Sequence, residues 1–413
     1  MTATASVTGP GVGETDVEAT RSAEQATRLI ARLDAIAPEL EGEAVDNERA
    51  GRLSERTLEL LRETKVPSML LTESAGGLGL FPTDALRVLE RLCRIDASIG
   101  WIGGNWSTAG LLLAYFQPEA AKELLQKDQP MFGASAAPTG RAVPVEGGYR
   151  LTGAWSYGSG DLQADYVLCS AIETAADGQP VTGPGGSPVT RSFTVPHEAI
   201  NPKGNWDTLG LRATGSIDFT VEDAFVPESW AVNTFGPPAV KDRQVSGGMW
   251  VIIPMLHTTF ALGATRRLLD ELVAFAQRPS ARGAKLADDV VFRTELARRE
   301  VAVRSAHAFV HETWNDVDAL LKAGEPLGRR NITLLRASMI HIHEVARDLA
   351  TFVFEKGGGT SLRTGTMQRW VRDTFAGCQH FIASPLAYPD IAWELMGAPE
   401  DLVWGPQGLA SIS

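Results

Sequence analysis

The chain has 413 residues, of which 44% are hydrophobic, and its 38 basic and 50 acidic side chains leave a net charge of −12. This length and apolar content suit a large globular protein with a substantial buried core. Since no run of Lys or Arg occurs and the three cysteines lack paired spacing, we expect no nucleic-acid or membrane partner, no disulfide framework and a cytoplasmic location.

The first part of the chain is predicted to be a disordered tail over residues 1–15, followed by an N-terminal helical domain over 16–130. The tail consists largely of small residues and lacks the basic start and apolar centre of a signal peptide. From Asp16 onward, apolar residues recur at steps of three and four, which is the period of an amphipathic helix. Further helices are expected over 83–93 and 99–116.

The middle of the chain is predicted to form a small β domain, a barrel or sandwich, over residues 131–240. Short runs of strand-forming residues alternate there with Gly, Pro and Asp clusters. The clearest of these runs cover residues 149–151, 166–171, 192–195 and 217–221. The stretch between the second and third of them is dense in Gly and Pro, which is typical of an exposed loop.

The last part of the chain, residues 241–413, is predicted to be a four-helix bundle because long helical patterns return there. The expected helices cover residues 249–277, 287–323, 329–355 and 366–396. The predicted fold class is therefore mainly α with a central small β domain, in the order helical domain, β domain and helical bundle.

Several common catalytic motifs are missing from the sequence. It contains no GxGxxG, GxxxxGK[ST] or GxSxG, which disfavours a doubly wound nucleotide domain and a nucleophile-elbow hydrolase. His307 and His311 stand four residues apart, a spacing that suits a metal ion, and His341 and His343 flank an isoleucine. Since no HExxH occurs and no third ligand is predicted to converge, we predict no metal site and hydrogen-bonded histidines within the bundle.

Four segments place small, polar or aromatic residues where packing alone would favour aliphatic ones. They are residues 67–79 (PSMLLTESAGGLG), 151–160 (LTGAWSYGSG), 205–216 (NWDTLGLRATGS), and the glycines 357–359 followed by 369–373 (RWVRD). With a helical, β, helical layout over almost the whole chain, these segments in this order resemble the acyl-CoA dehydrogenase superfamily. The resemblance implies that family's fold and a flavin cofactor.

Two branches of this superfamily are distinguished by the last helical region, because the fold serves both thioester oxidation and oxygenation by reduced flavin. Many of the dehydrogenases carry a catalytic carboxylate shortly after the Arg-Asp pair, whereas residues 374–381 read TFAGCQHF here. Arg372-Asp373 followed by His380 resembles the oxygenase components of two-component monooxygenases, of the 4-hydroxyphenylacetate hydroxylase and dibenzothiophene monooxygenase type. An acyl-CoA dehydrogenase with bound FAD, and a helical scaffold without cofactor, remain the alternatives.

The resemblance to these oxygenases carries expectations about cofactor and partners. It implies reduced FMN or FAD supplied by a separate NAD(P)H:flavin reductase, with O₂ as co-substrate. A flavin 4a-hydroperoxide held in a dry site would then hydroxylate or oxygenate a small aromatic or heteroaromatic substrate. The resemblance also implies a homotetramer assembled through the C-terminal bundle.

The expected catalytic residues are His380, Ser159 and Asn105. His380, titrating near neutrality, would take a phenol proton or donate a hydrogen bond to the peroxide. Ser159 lies on a turn that resembles the family's flavin-edge Ser/Thr and would bond near flavin N5. Asn105 and Trp106 stand where phenol-hydroxylating relatives often carry a histidine, and with His257 they complete the expected substrate pocket. Asn105 can hold a hydroxyl but cannot act as a base.

The expected cofactor residues fall into two groups. The flavin ring would be bound by Trp155, Tyr157, Ser159, Trp206, Thr214 and Ser216, and the phosphate by Arg278, Gly358, Gly359 and Arg369, partly across a subunit interface. Purely structural roles stay open for several of them: Ser159 as an ordinary turn residue, Trp206 as β-domain core, and His380 as a bundle histidine.

Overall fold

The computed structural model describes residues 12–127, 129–183, 186–280, 283–405 and 407–411, so most of the predicted tail at 1–15 lies outside the described residues. The chain begins with a group of helices, α1 (Val12–Ala50), α2 (Glu55–Thr64), α3 (Pro82–Ile95), α4 (Ala97–Leu111) and α5 (Pro118–Leu124). The first of them starts ahead of the predicted Asp16. None of the helices in the described residues is both long and apolar enough to cross a membrane.

Helix α4 is the buried centre of this N-terminal group. Asp96 caps its N-terminus, and the Asp96 carboxylate accepts hydrogen bonds from the backbone N–H groups of Ser98 and Ile99, both at 3.0 Å. Glycines let neighbouring helices approach closely, since a Cβ at Gly104 would lie 2.5 Å from Leu256 Cδ1. The helix therefore packs against α3 and the bundle on one side and against the sheet on the other.

The middle of the chain forms a seven-stranded mixed sheet with the order β5-β6-β2-β1-β3-β4-β7. Its strands are β1 (Phe132–Val145), β2 (Gly148–Gly158), β3 (Tyr166–Glu173), β4 (Thr190–Pro196), β5 (Asn201–Pro202), β6 (Ile217–Pro227) and β7 (Ala231–Val232). β1 runs parallel to β3, and the other pairs are antiparallel. The sequence analysis missed β1 because its many Gly, Ala and Pro residues have low strand propensity.

The last part of the chain is helical again. It contains α6 (Met249–Ala276), α7 (Val290–Ala323), α8 (Arg329–Gly357), α9 (Gly359–Leu362), α10 (Thr366–Gly377) and α11 (Tyr388–Leu395), followed by the hairpin strands β8 (Leu402–Trp404) and β9 (Leu409–Ser411). The prediction of one helix over 366–396 is wrong. Helix α10 ends at Gly377 and short 3₁₀ turns follow, and α11 then begins at Tyr388 with Pro389 in its first turn, where a proline needs no hydrogen-bond acceptor.

Helices α6, α7, α8 and α10 pack together as the predicted bundle. The mainly α fold class with a central β domain is thereby confirmed. The loop over 205–216 docks onto this bundle: a Cβ at Gly210 would lie 2.3 Å from the carbonyl oxygen of Arg372, and the Leu211 N–H donates to Asp373 at 2.7 Å. The N-terminal helices, the sheet and the bundle thus meet around α4, this loop and α10.

Candidate active site

The N-terminal side of the candidate site is one face of α4. Trp101 and Asn105 are one helical turn apart and therefore share a face. The Trp101 indole N–H donates to Ser159 Oγ at 3.1 Å, and the Asn105 amide donates to the Ser159 carbonyl at 3.4 Å. Both residues thus contact the turn that follows β2, which the sequence analysis selected for its Ser159.

A chain of buried hydroxyl groups extends from that turn. Ser159 Oγ lies 2.5 Å from Ser216 Oγ, which lies 2.7 Å from Thr214 Oγ1, and Thr214 donates to the carbonyl oxygen of Leu211 at 2.7 Å. Each hydroxyl group has one proton to donate. Because the Thr214 proton goes to Leu211, Ser216 must donate to Thr214 and Ser159 must donate to Ser216.

The direction of this chain determines what Ser159 can still do. Its oxygen offers two acceptor positions, and the Trp101 N–H occupies one of them. Over the described residues, one acceptor position remains at Ser159 while its proton is already used. Ser159 is therefore an acceptor toward a bound molecule.

The bundle side of the site consists of two stacked imidazole rings. His257 on α6 and His380 just after α10 have ring centroids 4.0 Å apart and an interplanar angle of 29°. The Trp101 ring meets His257 edge-on at 5.2 Å and lies 6.3 Å from His380. The structure thus brings the predicted residues His257, His380, Ser159 and Asn105 together around Trp101.

Both stacked imidazoles are neutral at pH 7. Burial lowers the pKa of His380 to about 4, which corrects the expectation that it titrates near neutrality. Burial, with a smaller contribution from His380, holds the pKa of His257 well below its usual value. The Nδ1 atom of His380 accepts from the Ile382 N–H at 3.4 Å, so the ring proton resides on Nε2.

Two nearby carboxylates, Asp96 and Asp373, have structural roles. Asp96 caps α4 with one oxygen, and its other oxygen lies 3.8 Å from the Arg369 guanidinium. Asp373 accepts from the Leu211 N–H, and burial raises its pKa to about 7. The expected contact of Arg369 with a flavin phosphate stays a prediction, and in the structure its side chain is 10% exposed and faces Asp96.

Two predicted aromatic site residues lie in packed cores instead. Trp155 is 1% exposed, stacks on Phe219, and donates its N–H to the Ser170 carbonyl at 2.8 Å. Trp106 is fully buried and donates its N–H to the Gly160 carbonyl at 3.3 Å. These contacts exclude Trp155 from a flavin wall and Trp106 from a substrate pocket.

An exposed aromatic surface borders the hydroxyl chain. Tyr157 is 74% exposed and has a left-handed backbone with φ 61°, and its ring meets Trp206 edge-on at 6.2 Å. The Trp206 N–H donates to the Leu211 carbonyl at 3.1 Å, the same oxygen that accepts from Thr214. The predicted ring-binding residues Tyr157, Trp206 and Thr214 are thus joined in one place.

The remaining predicted phosphate residues lie on the surface. Arg278 follows the end of α6 and is exposed, and Gly358 and Gly359 are exposed at the start of α9. Their role toward a phosphate stays a prediction. Next to His380 the surface opens into a cavity of about 650 Å³, whose lining includes Arg347, Gln379 and Phe381.

Trp101 is a site residue that the sequence analysis missed. The signal was its spacing of four from Asn105, since both side chains then share a helix face. Its indole connects the two sides of the site, because the N–H donates to Ser159 while the ring contacts His257.

The residues present fit a flavin. An exposed aromatic surface at Tyr157 suits a planar ring, and Ser159 offers one acceptor position beside it. The Nδ1 atom of His257 is buried without a hydrogen-bond partner within the described part of the chain. An unsatisfied buried polar atom of this kind indicates that a bound molecule or water completes the site.

Comparisons with known proteins agree with this geometry. The family described as "Acyl-CoA dehydrogenase, C-terminal domain" matches residues 255–385. The chain is 28% identical to the indole-3-acetate monooxygenase of Pseudomonas putida, covering 83% of this chain and 86% of the relative. It is also 28% identical to the oxygenase subunit HsaA of a Rhodococcus jostii flavin-dependent monooxygenase, covering 86% and 94%.

Solved structures show the same fold. XiaF from Streptomyces, in complex with FADH2 and glycerol, has a TM-score of 0.83 at 22% identity, covering 93% of this chain and 98% of XiaF. The dibenzothiophene monooxygenase TdsC from Paenibacillus has a TM-score of 0.74 at 19% identity, covering 91% and 97%.

The match to the acyl-CoA dehydrogenase family covers residues 255–385, and the solved structures extend the likeness in fold to more than nine-tenths of the chain. The two relatives named above, which match over most of its length, are named as monooxygenases. The resemblance stated from the sequence is thereby confirmed.

Proposed function

We propose that this chain is the oxygenase component of a two-component monooxygenase. It uses reduced FMN or FAD and O₂ to hydroxylate or oxygenate a small aromatic or heteroaromatic substrate. The observation that carries the proposal is the stacked, neutral pair His257 and His380, which lies against Trp101 where a dehydrogenase of this fold needs a carboxylate base. The nearby Asp96 and Asp373 are engaged in capping and loop anchoring.

The residues that would hold the flavin are Tyr157, Trp206, Ser159, Thr214 and Ser216. When bound, reduced flavin supplies the electron pair that activates O₂ for transfer of one oxygen atom. Both flavins occur among the structural neighbours, since XiaF was solved with FADH2 and KijD3 with FMN. The protein's part is to bind the ring, orient the substrate and exclude water.

The direction of the hydroxyl chain favours the reduced form of the cofactor. Reduced flavin carries a proton on N5, whereas the N5 of oxidised flavin is only an acceptor. Ser159 has donated its proton to Ser216 and can only accept from a bound molecule. With N5 beside it, Ser159 would accept the N5 proton of reduced flavin and would have no proton to donate to oxidised flavin.

His380 acts as a hydrogen-bond donor in this proposal. Its pKa of about 4 leaves the ring neutral at pH 7, and the Ile382 N–H fixes the ring proton on Nε2. A neutral N–H can hold an oxygen atom of the substrate or of activated O₂ without giving up its proton in the ground state. The Trp101 ring lies 6.3 Å from the His380 ring and meets Phe260 edge-on at 5.2 Å.

The proposed function also carries proposals about a partner protein, the oligomeric state and the cellular location. We propose a separate NAD(P)H:flavin reductase, because the HsaA relatives are named as oxygenase subunits. We also propose a cytoplasmic homotetramer. The cytoplasmic location is favoured by Cys93, Cys169 and Cys378, which are all free and buried.

The activity is tested with photoreduced flavin in the absence of oxygen, followed by admission of O₂ in the presence of indole-3-acetate and indole. The proposal expects an oxygenated product and less hydrogen peroxide than flavin alone releases. If the purified protein instead carries FAD that is bleached by an acyl-CoA, it is a dehydrogenase.

The role of Ser159 is tested by the dissociation constants of reduced and oxidised flavin. Ser216→Ala removes the acceptor of the Ser159 proton, so Ser159 becomes free to donate to oxidised flavin. The preference for reduced flavin should then narrow by about 10-fold, the equivalent of one hydrogen bond. Ser192→Ala is the matched control, because it breaks another buried hydroxyl pair of the same sheet, with Ser170 at 3.2 Å. An unchanged ratio in Ser216→Ala contradicts the acceptor role.

A further inference from the structure

A second cluster of titratable side chains lies between α3 and α7, which supply none of the active-site residues named above. His307 and His311 are one turn apart on α7, and Glu90 on α3 faces both of them. His307 Nδ1 lies 3.7 Å from Glu90 Oε1, and His311 Nε2 lies 3.4 Å from Glu90 Oε2. The prediction that no third ligand converges on the two histidines is therefore wrong, because helix packing brings Glu90 to them.

The spacing of these atoms fits one metal ion. Ligands bound tetrahedrally to Zn²⁺ at about 2.1 Å lie about 3.4 Å from one another. The distance from His311 Nε2 to Glu90 Oε2 already has this value, and the distance from His307 Nδ1 to the other carboxylate oxygen, Oε1, exceeds it by a few tenths of an ångström. All three ligand atoms lie within 4.8 Å of one another, so small side-chain rotations bring them to a common centre.

Neighbouring side chains orient one of the ligands and offset a nearby positive charge. His307 Nε2 is hydrogen-bonded to Thr265 Oγ1 at 3.0 Å, which orients the ring with Nδ1 toward Glu90. The nearby Arg266 is paired with Glu300 at 3.2 Å, which offsets its positive charge.

We propose that Glu90, His307 and His311 bind a divalent transition-metal ion of the Zn²⁺ class, which links α3 to α7. Two imidazoles and one carboxylate suit Zn²⁺, Co²⁺ or Ni²⁺, whereas Mg²⁺ and Ca²⁺ need more oxygen ligands. The His311 side chain is 34% exposed and provides the way in. Water or a small anion takes the fourth position. The ion joins the N-terminal helices to the bundle and takes no part in the flavin reaction.

The test uses the full-length protein without a histidine tag, stripped with a chelator and titrated with Zn²⁺ and then with Co²⁺. The proposal expects one Zn²⁺ per chain by calorimetry and the intense visible absorption of tetrahedral Co²⁺. Zn²⁺ should also raise the melting temperature, because it binds the folded chain only. Absence of stoichiometric binding overturns the proposal.

Variants locate the ion. His311→Ala and Glu90→Gln should weaken Zn²⁺ binding by more than the 10- to 100-fold that is typical for loss of an outer-shell partner. Thr265→Val keeps the side-chain shape and should weaken binding by about 10- to 100-fold through the lost hydrogen bond to His307. His341→Ala, on α8 outside the cluster, should leave binding unchanged. If His311→Ala binds Zn²⁺ as tightly as His341→Ala does, the ion is elsewhere and the proposal fails.

Discussion

The bundle side and the sheet side of the active site are both buried but carry opposite types of titratable group. The bundle side presents His257 and His380, and burial lowers their pKa values. The sheet side has Asp161 directly after the Ser159 turn, and burial raises its pKa to about 7. Burial disfavours the charged form of acid and base alike. Since burial disfavours charge on both sides, the direction of the hydrogen bonds, more than charge, determines which bound groups this site can donate to or accept from.

The sheet side has been shaped around Asp161. Its carboxyl accepts from Ser135 Oγ at 3.2 Å, and its other oxygen has no partner among the residues described. A Cβ at Gly133 would lie 2.0 Å from one carboxyl oxygen, and a Cβ at Gly158 would lie 2.6 Å from the other. Gly158, which precedes Ser159 in the 151–160 segment, is therefore required, because a side chain at this position would collide with the Asp161 carboxyl group.

The strongest test of the bundle side is removal of the His380 ring. His380→Ala should lower product formation by about 10²- to 10⁴-fold, the usual contribution of a positioned acid, base or donor. Binding of reduced flavin, measured by anaerobic titration, should change much less.

His380→Gln is the matched variant, because its amide N–H replaces the Nε2 donor without a basic nitrogen. Partial recovery of product formation in His380→Gln supports a donor role. Equal losses of product formation in both variants indicate that a base is required. On the bundle side, hydrogen-bond direction would then not be what determines the chemistry.

On the sheet side, Asp161→Asn should remove a pH-dependent loss of folding stability that the buried Asp161 carboxyl group causes. The folded-state pKa of about 7 lies above that of the unfolded chain, so the folded state holds an extra proton and loses stability as the pH rises from about 4 to 7. Relative to wild type, Asp161→Asn should gain up to about 4 kcal/mol in unfolding free energy across this range. Denaturant unfolding at each pH measures the difference, and a constant difference contradicts the raised pKa.

For a buried histidine, the pH dependence of stability should have the opposite sign. His343 on α8 is fully buried, with Nδ1 2.8 Å from the Met339 carbonyl, and burial lowers its pKa to about 4. The unfolded chain takes up the proton first, so the contribution of His343 to stability is complete above about pH 6.5 and is lost as the pH falls to about 4.

The wild-type protein should therefore lose about 3 kcal/mol relative to His343→Asn over that range. Asn keeps a donor for the Met339 carbonyl. His341→Asn on the same helix provides the control, and the same pH dependence in both variants would remove His343 as its source.

The smallest effect is expected at Trp101, which joins the two sides. Trp101→Phe keeps a ring against His257 and removes the N–H that donates to Ser159. The loss of one hydrogen bond should cost about 1 kcal/mol in unfolding free energy. It should also leave Ser159 with both acceptor positions, so the preference for reduced flavin should persist. A reversed preference would show that Trp101, and not the hydroxyl chain, orients Ser159.

Much of the site was predictable because its segments carry residues that packing alone does not favour. Ser159, Asn105, His257 and His380 were selected in this way and lie together in the structure. The tryptophans were less predictable. Trp155 and Trp106 lie in packed cores, whereas Trp101 reaches the site. Composition indicates that a segment is unusual, but the neighbours of each ring decide which of these buried indoles faces the site.

The sequence by itself determined the order of a helical, a strand-rich and a second helical region and most of the long helices, because hydrophobic period and turn residues are local signals. It also predicted a resemblance to the oxygenase branch, through a histidine in place of a carboxylate, and the relatives over most of the chain are named as monooxygenases. Only the tertiary structure decided the direction of the hydroxyl chain, the neutrality of His380 and the approach of Glu90 to two histidines. Each of these depends on burial and on partners from distant segments, and no local pattern records them.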